Sequence, residues 1–257
     1  MNSMRKYVNQ FLTHRPPFFA FIRPIELQLI AEHKSCLGNE ILDFGCGDGF
    51  FASQIFADRE IEVGLDFENE LTKNSPYQKV YQQVSFYQGR TIPYERASFS
   101  GVVSNSVLEH VDDVDFSLEQ IHQVLDENGH FLTTVMTDQW EKYLLGKKVF
   151  GQVYLDKLRK MQDHYHLLSF QQWQEKFEQA GFKVEKAIGY LPAKTIKAME
   201  LAHYWSVPSL LKYKLTGSWG LGEKWHQWLK LANYCERLNT QVDVDQAGSV
   251  FFQLRKV

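Results

Sequence analysis

Seven residues constrain this chain more than any others: Asp43-Phe44-Gly45-Cys46-Gly47-Asp48-Gly49. Three alternate glycines follow the short apolar run Glu40 to Phe44 and precede a helix-like stretch carrying Phe50, Phe51, Ile55 and Phe56. Glycine accepts the positive φ angles of a tight turn and lets another molecule approach the backbone. An apolar run of this length leading into such a turn reads as a buried parallel strand. Ile61 to Asp66 reads as the next strand. Strand, glycine turn, helix and strand then form one βαβ unit, whose crossover is right-handed.

The rest of the chain repeats that alternation. Pro24 opens a helix with Ile25, Leu27, Leu29 and Ile30 on its apolar side, stopping near Gly38. Ahead of it runs an aromatic arm broken by Pro16-Pro17, which suits core packing and a flap over a small-molecule site equally well. A helix is expected around Glu68 to Lys73, and strands around Val84 to Tyr87 and from Phe99 to Ser104. Asp113 caps a helix from Val114 to Leu125, and Asn128-Gly129 turns into a strand from His130 to Met136. Residues 138–168 read as helical and irregular. Ser169 caps a further helix that Gly181 stops, Phe182 to Ile188 forms a strand, and Ser249 to Leu254 the last one. The prediction is an α/β fold: a doubly wound, mostly parallel, seven-stranded Rossmann-like sheet with an antiparallel last strand. It would be a single domain over 1–257, with an N-terminal arm and helix at 1–37, a ligand-binding core at 38–137 and a helical, aromatic-rich cap insertion at 191–247. That insertion holds four of the six tryptophans.

Charge and cysteine usage exclude several classes. A formal net charge of −3 with intermixed acids and bases offers no field for nucleic acid, so no nucleic-acid partner is expected. The short basic clusters Lys147-Lys148 and Lys157/Arg159/Lys160 read as solvated helix faces. Cys36, Cys46 and Cys235 are scattered and form no CxxC pair, which suits a reducing cytoplasm. No secretory leader or spanning apolar run is visible, and the expected localisation is cytoplasmic. No spacing suggests a metal site, and no G-x-S-x-G nucleophile elbow exists.

The glycine turn also discriminates between ligands. A dinucleotide fingerprint reads G-x-G-x-x-G and cradles a pyrophosphate. Here the spacing is G-x-G-x-G, led by an acid on the strand. A carboxylate there repels phosphate and favours a cation. S-adenosylmethionine carries an ammonium and a sulfonium, so the charge fits it better than a nicotinamide dinucleotide. Asp66 ends the second strand about 20 residues beyond the turn, where a carboxylate accepts both ribose hydroxyls of a nucleoside. That reading is favoured over capping of the next helix.

Ile41 to Gly49 resembles motif I of class I S-adenosylmethionine methyltransferases. Phe99 to His110 (FSGVVSNSVLEH) resembles the fourth-strand motif of the type 11 subgroup, and Gln120 to Phe131 its following helix and fifth strand. The resemblance covers residues 38–137 well and continues weakly through Ser169 to Trp173 and Ala180 to Phe182. It implies that S-adenosylmethionine is the cofactor and that Asp43 holds the methionine ammonium. It further implies that Gly45 and Gly47 contact the cofactor through backbone atoms, that Asp66 holds the ribose, and that Ser104 and Asn105 line the methionine end. Cys46 and Phe67, beside these, belong to the same cofactor set. The subgroup often has an Asp after the glycine that follows the third strand, contacting adenine. Here Gly89 is followed by Arg90, so the backbone of either residue, or Thr91, would serve adenine instead.

Methyl transfer is an in-line displacement that gains from alignment and water exclusion. A hydroxyl acceptor also needs a base. His110, just past the fourth strand, and the segment His164-Tyr165-His166 supply catalytic candidates: His110, His164 and His166. The competing reading for each is packing or a polar loop. The aromatic insertion suggests a bulky, partly apolar small-molecule acceptor, methylated at oxygen. Core packing of its helices is the plainer account, and contact with a membrane surface ranks below it, although Lys194, Lys197, Lys212, Lys214, Lys224 and Lys230 alternate with Trp, Tyr and Leu. Two rival functions remain: a non-catalytic cofactor-binding module, and a protein- or lipid-directed methyltransferase at a membrane surface.

Overall fold

A computed structural model of the chain describes residues 3–68, 72, 75–88, 90–217, 219 and 230–257. They divide into two compact units. A sheet unit comprises Ile30–Thr137, Arg159–Ala187 and Val250–Val257, and a helical unit comprises Met1–Leu29, Asp138–Leu158 and Ile188–Ser249.

The strands are β1 (Ile41–Phe44), β2 (Ile61–Asp66), β3 (Tyr81–Phe86), β4 (Phe99–Asn105), β5 (Leu125–Met136), β6 (Phe182–Tyr190), β7 (Gln241–Val242) and β8 (Ser249–Lys256). Their order in the sheet is β3-β2-β1-β4-β5-β8-β6-β7. Strands β1 to β5 pair in parallel: Asp43 stands opposite Gly64 of β2 and Val103 of β4, Ile61 opposite Tyr81, and Val103 opposite Leu132. The last strands run antiparallel, with Gly189 opposite Val242. The two-residue β7 adds an eighth strand to the expected seven.

From β1 the chain steps outward to β2 and β3, then returns to lay β4 on the other side of β1. This reversal opens a crevice at the carboxyl ends of β1 and β4, the place where doubly wound sheets bind ligands. All four residues of β1 are buried, as a strand covered on both faces must be. Asp43 is the exception in its chemistry: a carboxylate inside that buried run.

In the sheet unit the helices after α1 (Ser3–His14) and α2 (Arg23–His33) are α3 (Phe50–Ile55), α4 (Val114–Val124) and, beyond α5 (Gln139–Tyr143) and α6 (Leu145–Gln162), α7 (Phe170–Gln179). Asp113 caps α4 by accepting from Phe116 N–H at 3.0 Å. Ser169 opens α7 with a reciprocal box: its hydroxyl accepts from Gln172 N–H, and the Gln172 side chain accepts from Ser169 N–H. The cap sets the helix so that Trp173 and Phe177 face inward. Trp173 Nε1–H donates to the Met136 carbonyl at 2.9 Å, and the Phe177 ring meets Phe131 and Phe252 edge-on. Burial of these two rings contributes on the order of 2–3 kcal/mol each.

The helical unit completes itself with α8 (Ala193–Trp205), α9 (Val207–Thr216) and α10 (Leu231–Leu238). The N-terminal arm is helical: Met4, Tyr7, Val8, Phe11 and Leu12 of α1 are buried at helical spacing, and Pro16-Pro17 end it. Asn239 ties the ends of this unit together. Its amide donates to the carbonyls of Ala20 (3.0 Å) and Cys235 (2.8 Å), and its oxygen accepts from Ile25 N–H. Glu26, fully buried, accepts from the Tyr190 hydroxyl at 2.9 Å and pairs with Arg23 at 2.6 Å. The helix expected at 68–73 falls largely on residues outside those described, as do Lys224, Trp225 and Trp228. No helix among the described residues is long and apolar enough to cross a membrane.

Candidate active site

The site grows out of β1 and β2, and every residue placed below belongs to the sheet unit. The glycine turn is fastened to β2: Gly45 N–H and Cys46 N–H both donate to the Leu65 carbonyl, at 2.8 and 3.1 Å. Gly45, Gly47 and Gly49 all have positive φ, as the spacing required. Two of them matter for different reasons. A Cβ on Gly45 would lie 2.3 Å from Val107 Cγ2, so its bareness admits the segment that follows β4. A Cβ on Gly47 would meet nothing within 4 Å. Gly47 therefore faces open space, which leaves its backbone approachable.

Asp43, one residue before the end of β1, and Asp66, the last residue of β2, lie on adjacent parallel strands, close enough for the Asp66 charge to act on Asp43. Burial pushes the Asp43 carboxyl up to about 7; a hydrogen bond from the Tyr81 hydroxyl at 2.6 Å opposes that rise and the Asp66 charge adds to it. Asp66 is also raised by burial, against the pull of two backbone donors, Gly47 N–H at 2.5 Å and Phe67 N–H at 2.6 Å. The Cys46 thiol between them is pushed far up by burial and by both carboxylates, so it is no nucleophile. Two raised carboxylates in one crevice want a cation. Among the described residues no group of three His, Cys, Asp or Glu side chains is arranged to hold a metal ion.

Of the remaining cofactor candidates, Phe67 follows Asp66 directly, and Ser104 and Asn105 lie on the strand beside β1. Phe67 is exposed and stacks on Tyr87, with ring centroids 5.4 Å apart and planes 12° off parallel. Burial pushes the Tyr87 phenol up to about 12. Ser104 and Asn105 end β4. The Ser104 hydroxyl is buried without a hydrogen-bond partner among the described residues, while Asn105 Oδ1 accepts from the Thr134 hydroxyl at 3.0 Å. Arg90 is exposed, and Gly89 lies outside the described residues.

The histidine candidates lie on two segments knitted together: Tyr165 N–H and His166 N–H both donate to the Glu109 carbonyl, at 2.9 and 3.1 Å. The rings of His110 and His164 are 4.7 Å apart. His110 Nδ1 lies 3.3 Å from the Asp163 carbonyl. A carbonyl only accepts, so Nδ1 donates there, and in the neutral ring Nε2 carries the lone pair. Burial pushes His164 down to about 4, helped by the charges of His110 and Arg159. His166 faces elsewhere: its Nε2 donates to the Asp112 carbonyl at 3.0 Å.

A family model described as a methyltransferase domain matches residues 4–187, well over half of the chain. This chain belongs to the class I S-adenosylmethionine-dependent methyltransferase family. Its cofactor is S-adenosylmethionine. The methyltransferase is 30% identical over 140 residues to the mitochondrial ubiquinone biosynthesis O-methyltransferase of Homo sapiens, a match over 49% of this chain and 37% of that protein. It thus spans little more than a third of such curated relatives. Among solved structures it is similar to a SAM-dependent methyltransferase from Thermotoga maritima, with a TM-score of 0.61 at 16% identity over 98% of both chains. It is also similar to geranyl diphosphate methyltransferase in complex with SAM, with a TM-score of 0.55 at 10% identity over 90% of this chain and 84% of that one. At these identities the likeness is one of fold.

The methyltransferase's own residues fit the cofactor. Buried carboxylates of raised pKa suit an ammonium, the open space at Gly47 suits a close approach, and the orphaned Ser104 hydroxyl suits a polar ligand. Tyr81 and Val107 are neighbours of the turn that the spacing of the motifs did not reveal. Tyr81 opens β3 three residues earlier than the apolar pattern suggests, because Gln82 and Gln83 are exposed and break that pattern.

Proposed function

We propose that this chain transfers a methyl group from S-adenosylmethionine to an oxygen of a small, partly apolar acceptor. The observation that carries the reading is the pair Asp43 and Asp66, two carboxylates raised by burial on neighbouring strands beside a bare glycine turn. Bound S-adenosylmethionine supplies an electrophilic methyl on a positive sulfur. Asp43 would hold the ammonium, with Tyr81 fixing the carboxylate's orientation. Asp66 would take the ribose hydroxyls, Gly45, Cys46 and Gly47 would meet the cofactor along the turn, and Phe67 would flank the adenine. Ser104 and Asn105 would line the methionine end.

Oxygen as the acceptor atom rests on chemistry that a neutral imidazole supplies. When its ring is neutral, His110 presents a lone pair at Nε2, because its other nitrogen donates to the Asp163 carbonyl. A proton taken from an acceptor hydroxyl puts a positive charge on that ring. His164, held neutral by burial, adds no like charge beside it. The similarity to an O-methyltransferase supports the same direction.

The test is transfer of labelled methyl from S-adenosylmethionine to a panel of hydrophobic phenols and quinols and their amine counterparts. The reading expects label on the hydroxylated set and a drop of about 10²-fold in turnover for His110→Ala with cofactor affinity unchanged. Label on the amines alone, or full turnover in His110→Ala, contradicts it.

A further inference from the structure

The helical unit holds most of the exposed large apolar side chains among the described residues. Isolated exposed apolar residues are ordinary, but a concentration of them marks an interaction surface. Two segments carry the strongest examples. On α6, Val149 and Phe150 are 72% and 68% exposed and Val153 is 78% exposed, around the break at Gly151. On α9, Leu211 and Leu215 are 58% and 85% exposed and lie four residues apart, hence on one side of the helix.

Lysine accompanies both groups. Lys147-Lys148 immediately precedes Val149-Phe150, and Lys212 and Lys214 interleave with Leu211 and Leu215. The sequence of α9, VPSLLKYKLT, contains no acid, and α6 between Leu145 and Leu158 contains one, Asp156. The chain as a whole is net negative, at −3. A positive local balance around bare apolar side chains inside an acidic protein selects its partner by sign. Lysines are weak company for a second copy of this face, since a symmetric contact would bring two lysine-bearing, acid-poor segments together. They are complementary to an anionic, apolar surface.

We propose that the helical unit docks on anionic lipid bilayers through the exposed apolar residues of α6 and α9, with Lys147, Lys148 and Lys214 meeting the headgroups. Val149, Phe150, Leu211 and Leu215 would enter the headgroup–acyl boundary, as amphipathic helices lying in the interface do. Each lysine near the surface would contribute roughly fivefold to partitioning. This attachment is independent of the methyl-transfer reading, and either can fail alone.

The experiment is co-sedimentation of the full chain with vesicles of phosphatidylcholine, with and without about one-third phosphatidylglycerol, at low and high salt. The expected result is binding to the anionic vesicles alone, weakened by salt. Phe150→Asp and Leu215→Asp should each weaken it about tenfold with an unchanged unfolding temperature, because neither side chain is in the core. Lys147→Glu/Lys148→Glu should weaken it by more than tenfold and flatten the salt dependence. Absence of binding to anionic vesicles overturns the proposal. So does equal binding by the wild type and both Asp variants. A dimer in solution that Leu215→Asp dissociates also overturns it, since a second copy would then cover the face.

Discussion

The Tyr81 hydroxyl donates to Asp43 Oδ2 at 2.6 Å, joining the first residue of β3 to the third residue of β1 across the intervening strand. This bond stabilises the ionised form of a carboxylate that burial otherwise drives toward its protonated form. Tyr81→Phe should therefore raise the Asp43 pKa further and weaken S-adenosylhomocysteine binding at pH 7 by about tenfold, the scale of one hydrogen bond to a charged group. Titration calorimetry reads the change. An unchanged affinity would show that Asp43 does not bear on the ligand.

The raised Asp43 pKa also sets a pH dependence for cofactor binding. A ligand ammonium favours the carboxylate, so affinity should fall as pH drops below about 7 and level off above it. Binding near pH 6 should release close to one proton, visible as a dependence of the calorimetric heat on the buffer's ionisation enthalpy. His164, depressed to about 4, stays neutral across this range and adds nothing to the limb. Asp43→Asn should shrink both the limb and the proton release.

The same carboxylate works against the stability of the ligand-free protein. Its folded pKa lies above its unfolded value of 3.8, so its contribution is fully present below that value and is lost as pH rises to about 7. The loss at pH 8 is on the order of 4 kcal/mol before relaxation. Asp43→Asn should raise the ligand-free unfolding temperature at pH 8 by several degrees and remove the shift that S-adenosylhomocysteine produces. A lowered unfolding temperature would mean that Asp43 is already paired.

Gly45 and Gly47 should separate folding from binding. Gly45→Ala drives a methyl into Val107 at a positive φ and should lower stability by a few kcal/mol. Gly47→Ala carries the φ penalty alone, about 1 kcal/mol, yet fills the open side of the turn and should cost cofactor affinity at least tenfold. Thermal unfolding and calorimetry on the two variants give opposite orderings if the turn cradles the ligand.

Much of this was legible from local signals. The glycine turn announced its positive φ angles by spacing, and Asp113 and Ser169 announced two helix starts by capping chemistry. The juxtapositions were not legible. Tyr81 meets Asp43 only because β3 pairs with β2, and polar Gln82 and Gln83 hide where that strand begins. His110 and His164 meet because backbone bonds fasten the 164–166 segment to Glu109, a contact no periodicity encodes. The arm at residues 3–14 held a helical pattern in Met4, Tyr7, Val8, Phe11 and Leu12, masked by the aromatics beyond Pro16-Pro17. The lysine runs that looked like solvated faces carry exposed Val149 and Phe150 beside them, which burial alone reveals.

The most direct measurement is calorimetric titration of S-adenosylhomocysteine into the wild type and into Asp43→Asn and Asp66→Asn at pH 8. The account predicts one site per chain in the wild type and a loss of at least tenfold in affinity in each variant, with the fold intact by circular dichroism. A wild type that binds nothing, or variants that bind as tightly as the wild type, would contradict it.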